Sequence, residues 1–196
     1  HDVAFYTLLY RQMKTGIYIH IPFCKSRCIY CGFYSSTLFG LQHNYATTLI
    51  KEMHLRRSEF NGLGSIDSPN SVDTIYIGGG TPSTLPLSDI QDILNSVSEC
   101  FPGNPREVTI EVNPDDITPE FVSCLRSFGI NRISMGIQTF DDSRLQFLHR
   151  RHTSSQAIDA VRIIKEAGIE NISIDLMFGF PKQTLDEWAA DVQTAI

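Results

Sequence analysis

The sequence predicts an α/β protein built as part of a TIM-type (β/α) barrel, with about five parallel strands in sequential order. Three observations point there: apolar strand-like runs recur along the chain, helical patterns separate them, and polar or cysteine-rich chemistry begins where the runs stop. Repeated βα units joined by right-handed crossovers fold into a parallel sheet with helices outside it.

The first run, "GIYIHIPF" (16–23), alternates Ile17, Ile19 and Ile21 with Tyr18 and His20. A period of two gives a strand with unlike faces, the isoleucines on one side and Tyr18 and His20 toward the barrel interior. A helical pattern over 43–60 follows, and "NGLGSIDSPNS" (61–71) reads as a flexible loop. "VDTIYIGG" (72–79) is the second strand; Ser88 and Gln91 have capping-box spacing for a helix over 88–100. After the strand "EVTIEVNP" (107–114), Thr118 and Pro119 open a helix over 118–127 as N-cap and first helical residue. "RISMGIQT" (132–139) leads to a helix over 154–167, and "NISIDLMF" (171–178) is the fifth strand. Gly129 and Gly168 fall where helices should stop, and Thr184 with Glu187 opens another.

A closed eightfold barrel takes about 250 residues. Five units in 196 residues, ending in a helix without a stop signal, read as the N-terminal part of a longer barrel over 16–196. Residues 1–15 read as a leader or expression scar, since Met13 could be the native start.

Composition narrows the function. With 22 Asp+Glu against 16 Lys+Arg, the net charge of -6 argues against a nucleic-acid backbone as the main partner. No apolar run approaches the roughly 18 residues of a membrane span. The start of the chain lacks the basic residues and small-residue cleavage site of an export signal. Five cysteines, three of them clustered, then indicate metal binding in a reducing cytoplasm rather than a disulfide framework. Cys100 and Cys124 stand apart and read as small buried hydrophobes.

Cys24, Cys28 and Cys31 form C-x3-C-x2-C directly after the first strand. Thiolates hold both zinc and iron–sulfur clusters. Structural zinc wants four protein ligands, and His20 would complete a Cys3His set, although strand alternation turns it toward the interior. Three thiolates on a cubane cluster would instead leave one iron open to an outside ligand. Further along, Gly78, Gly79 and Gly80 let backbone approach a ligand closely, in neither of the glycine patterns that bind phosphate. Arg150 offers a planar fork for a carboxylate; Glu111 and Asp175 can accept hydrogen bonds, and Gln138 can donate and accept. Asp175, inside "ISIDLMF", would be costly to bury without a partner. His43, His54, His149 and His152 have no ligand spacing and read as surface or packing residues.

The cysteine loop followed by "GGGTP" resembles the signature arrangement of radical S-adenosylmethionine (SAM) proteins. "YIHIPFC", "IYIGGGTPS", "IEVNPDDIT", "NRISMGIQTF" and "IDLMFGFPKQT" together are similar to the oxygen-independent coproporphyrinogen III oxidase family and its haem-chaperone relatives. The resemblance implies a (β/α)6 barrel and a [4Fe-4S] cluster on Cys24, Cys28 and Cys31, with SAM chelating the free iron. An electron from the cluster would then cleave the sulfonium to a 5′-deoxyadenosyl radical. It also implies SAM contacts at Tyr18, Tyr30, Gly79, Gly80, Thr81, Glu111, Gln138, Arg150 and Asp175, and assigns no catalytic residue. The partners it implies are haem or a porphyrinogen, a haem-acceptor protein, and an electron donor such as flavodoxin or ferredoxin.

The oxidase branch resembles C-x3-C-x2-C-x-C, whereas this chain has Phe33 in place of the fourth cysteine and only a short run before the first strand. Both departures favour the haem-chaperone branch, which carries haem as cargo. Radical decarboxylation of coproporphyrinogen is the alternative; haem-degrading radical methyl transfer and a structural zinc domain are further ones. Enzyme and carrier both stay open at this point.

Overall fold

The computed structural model describes residues 15–60 and 71–196. Of the expected leader (1–15) and the expected loop (61–71), residues 1–14 and 61–70 lie outside them, and Thr15 belongs to the first strand. Among the described residues, β1 (Thr15–Ile21), β2 (Val72–Gly79), β3 (Gly103–Val112), β4 (Arg132–Gln138) and β5 (Asn171–Leu176) form one sheet in sequential order. Every neighbouring pair is parallel. The crossovers carry α1 (Gln42–Arg56), α2 (Leu87–Cys100), α3 (Pro119–Ser127), then α4 (Asp142–Phe147) and α5 (Ser154–Glu166) together; α6 (Leu185–Ala195) follows β5. The sheet is an open arc, because β1 and β5 are not paired with each other.

The alternation seen in the sequence sets the register. Ile19, Ile77, Ile110, Ile133 and Ile172 are successive Cα partners, so a row of isoleucines crosses all five strands. That row joins a core with Ile90 and Ile93 of α2, Val122 and Leu125 of α3, and Ile164 of α5. Burying each such side chain stabilises by about 1.5–3 kcal/mol, which fixes the strands as a rigid platform for the loops at their C-terminal ends.

Helix ends follow local chemistry. Thr118 accepts from the Phe121 N–H, and Thr184 with Glu187 forms the expected reciprocal box. Gly129 and Gly168 adopt φ of 90° and 83°, and the next N–H closes back to Leu125 and Ile164. Ser88 and Gln91 do not cap: α2 begins one residue earlier behind Pro86, without a side-chain cap. β3 starts before the expected 107, because Val72 pairs with Gly103 and Thr74 with Glu107, a bulge that absorbs Pro105. β1, β3, β4 and β5 each stop one or two residues earlier than the apolar patterns, and α1 ends at Arg56.

Candidate functional site

The loops at the C-terminal ends of the strands enclose a cleft of about 310 Å³, lined by Cys24, Cys28 and Cys31. Tyr30, Gly79, Gly80, Thr81, Glu111, Gln138, Arg150 and Asp175 line it too. Tyr18 does not. It lies earlier in β1, 59% exposed, its hydroxyl 3.1 Å from His20 Nδ1 and its ring stacked on Tyr76.

The cysteine loop leaves β1 and is closed at its base, where Ser36 donates to the Pro22 carbonyl at 2.7 Å and Cys24 to the Ser36 carbonyl at 3.1 Å. Cys24 is buried, 3.3 Å from Thr81 Oγ1, and burial pushes its thiol pKa up. The Cys31 N–H donates to the Cys28 carbonyl, a turn that brings these two side by side. Burial raises the Tyr30 hydroxyl to about 12, against the pull of Arg150.

Gly80 is required by the protein backbone itself. Its N–H donates to the Ile21 carbonyl at 2.8 Å, and an added Cβ would meet the Phe23 carbonyl oxygen at 2.8 Å. The Thr81 N–H is spent on Phe23 and the Gly79 N–H on Glu111 Oε2. This turn therefore has acceptor oxygens left for a ligand, not N–H donors, which suits an ammonium group. Glu111 also accepts from the Tyr76 hydroxyl at 2.8 Å, and burial followed by that bond raises Tyr76 to about 12.

Arg150 reaches the cleft through a helix end. Past the α4 C-cap Leu148, His149 adopts φ 59°, and the Arg150 N–H closes back to Leu145 at 2.9 Å. The residue after a left-handed terminus leaves the helix axis, which sends the guanidinium across the cleft. One NH2 donates to Asn113 Oδ1 at 2.8 Å and to the Gly136 carbonyl; NH1 lies 3.6 Å from Cys28 Sγ. Its buried Nε has no partner among the described residues, so the clamped guanidinium keeps a donor to spare. Gln138 is likewise held in a left-handed backbone, φ 76°, beside a bulge against β5. His152 fixes the preceding carbonyl of Ile137 at 3.2 Å, and buried Asp191 accepts from Thr139 Oγ1 and the Phe140 N–H, both at 2.8 Å.

Two expectations need correction. Asp175 is exposed, so the burial cost foreseen from its apolar neighbours does not arise. His149, read as a surface or packing residue, lines the cleft, whereas His152 is buried packing as expected, with desolvation and then Arg150 holding its pKa down at about 4. Sequence reasoning missed Asn113, Ser134 and Arg151, which also line the cleft. Asn113 lies within "IEVNPDDIT" and Ser134 within "NRISMGIQTF", while Arg151 only adjoins Arg150.

The donor set fits a cluster better than zinc. His20 does not line the cleft, and its ring is engaged with Tyr18 and packed against Gly79. The three cysteines are free thiols around a space wider than one ion requires. Among the described residues, no three His, Cys, Asp or Glu groups are gathered closely enough for a single metal ion.

The radical SAM superfamily profile matches residues 18–195, and the chain belongs to that superfamily. Within it, the chain is 36% identical over 184 residues to "Heme chaperone HemW" of Lactococcus lactis, covering 93% of this chain and 46% of the relative. It is 37% identical over 187 residues to "Heme chaperone HemW" of Bacillus subtilis, covering 94% and 47%. Among solved structures, the coproporphyrinogen III oxidase HemN from Escherichia coli, described as a radical SAM enzyme, superposes with a TM-score of 0.83 at 28% identity. The match covers 100% of this chain and 44% of that one. The chain thus spans less than half the length of these relatives.

Proposed function

We propose that this chain is the cluster- and SAM-binding part of a cytoplasmic haem chaperone, which hands haem to an acceptor protein. The observation that carries this reading is Phe33. It lines the cleft beside the cysteines and is 65% exposed, where the oxidase pattern has a fourth cysteine. A phenyl ring offers apolar surface to a flat macrocycle and cannot ligate or exchange electrons. The similarity to relatives named heme chaperones supports the same choice.

Cys24, Cys28 and Cys31 would hold the [4Fe-4S] cluster. Arg150 would meet the SAM carboxylate, the Gly79–Gly80 turn its ammonium, and Glu111, Gln138 and Asp175 its remaining polar groups, with Tyr30 closing the loop side and Thr81 supporting Cys24. When bound, the cluster supplies the electron that cleaves SAM. Arg150 and Glu111, already held by protein partners, would orient the sulfonium. No helix of the described residues is long and apolar enough to cross a membrane.

Full-length protein, supplied with haem, should bind about one haem per chain. Supplied anaerobically with coproporphyrinogen III, SAM, and flavodoxin or ferredoxin as donor, it should release no decarboxylated product. Efficient decarboxylation would promote the second reading, an oxygen-independent oxidase, which the 0.83 superposition on HemN favours.

A further inference from the structure

We propose that Asp116 is a positioning residue that latches the cysteine loop against the other loops of the cleft before any metal arrives. This rests on the reading that Cys24, Cys28 and Cys31 hold the cluster. Asp116 closes the single turn Pro114–Asp116 after β3, and its side chain is 3% exposed. Lys25 Nζ, on the residue after Cys24, donates to its Oδ1 at 2.6 Å. Ser83 Oγ, two residues beyond Thr81, donates to its Oδ2 at 2.7 Å. Arg151, the neighbour of Arg150, lies 3.6 Å from Oδ1 and forms its main ion pair with Asp115.

The two donors and the more distant Arg151 come from three separate loops. Each adjoins or nearly adjoins a residue that touches a thiol: Lys25 follows Cys24, Ser83 follows the turn whose Thr81 meets Cys24, and Arg151 follows the guanidinium near Cys28. A carboxylate this buried is costly unless it is paired, so the contacts of Asp116 and the loop arrangement support each other. Moving the cysteine loop away would strip Asp116 of Lys25. The carboxylate therefore holds the thiols toward the cleft at no cost to the ligands themselves. Lys25, 44% exposed, is the weaker partner; Ser83 and Asp116 are the buried centre.

The test uses the full-length protein, reconstituted anaerobically with iron and sulfide, then challenged with a chelator while cluster absorption is followed. Asp116→Asn should lose the cluster roughly ten-fold faster, the worth of a hydrogen bond to a charged group. In the metal-free protein it should speed amide exchange over residues 24–36, leaving α2 and α5 as in the wild type. Lys25→Gln, at an exposed position that does not endanger folding, should act in the same direction by about three-fold, and Lys25→Arg should restore the wild-type rate. Wild type that takes up no iron would overturn the cluster reading and this inference with it. Wild type that loads normally, with both Asp116→Asn and Lys25→Gln matching it in cluster loss and in exchange, would overturn the latch alone.

Discussion

Glu111 in β3 and Asp175 in β5 face the same cleft and are held in opposite ways. Glu111 accepts from the Tyr76 hydroxyl and the Gly79 N–H, so its carboxylate is oriented before any ligand binds. Asp175 is paired through its backbone with Gly136, but its carboxylate is exposed and without a hydrogen bond or ion pair among the described residues. The contrast extends to whole strands: β3 and β4 carry fully buried Ile110, Ile133, Met135 and Ile137, while β5 is nowhere fully buried and Phe178 beyond it is 77% exposed. The side that carries the cysteines is thus preorganised by contacts within this chain, whereas β5 is an edge strand of the arc, with no neighbour on its far side among the described residues. Preorganised polar groups cost no reordering when a ligand arrives, whereas free ones do.

The largest effect that would sharpen this contrast lies at His152, buried on the organised side. Its folded pKa of about 4 is below the unfolded value of 6.5. As pH falls through 6.5 the unfolded chain takes up a proton that the folded protein refuses, so stability drops until pH reaches about 4 and then levels. The loss is about 3 kcal/mol. Denaturant titrations at pH 7 and pH 4 should show His152→Gln less acid-sensitive than the wild type by that amount; equal sensitivity would mean that the imidazole titrates normally.

Next in size is Glu111→Ala, which leaves the Tyr76 hydroxyl and the Gly79 N–H without their acceptor. We expect about 2 kcal/mol of lost stability, read by thermal or urea unfolding, together with weaker SAM binding. Smallest is Asp175→Ala, expected within about 0.5 kcal/mol of wild type in stability while weakening SAM roughly ten-fold by calorimetry. A stability loss at Asp175 as large as at Glu111 would break the comparison.

Much of this was legible in the sequence. The five strands were readable because isoleucines alternate with polar residues, and that period carries over directly into the register. The cysteines and glycines were readable because they stand at strand ends or in a distinctive loop, whereas Arg150, which follows a helix end, was singled out mainly through the resemblance. What escaped notice had no local signature. α4 has six residues, too few for a helical period, and the left-handed residue past its C-cap is His149 rather than a glycine. Asn113 matters through Arg150, 37 residues away, and Asp116 through Lys25, 91 residues away. Such pairs exist only once the sheet has brought the loops together. The apolar neighbours of Asp175 did not bring burial because β5 is an edge strand of the arc.

The central claim, that three thiolates organise a cluster with an iron left for SAM, is tested most directly by anaerobic reconstitution followed by EPR of the reduced protein with and without SAM. We expect about four irons per chain, a [4Fe-4S] signal whose shape changes when SAM is added, and loss of that signal in Cys28→Ala. Zinc in place of iron, a spectrum indifferent to SAM, or a full cluster retained in Cys28→Ala would contradict it.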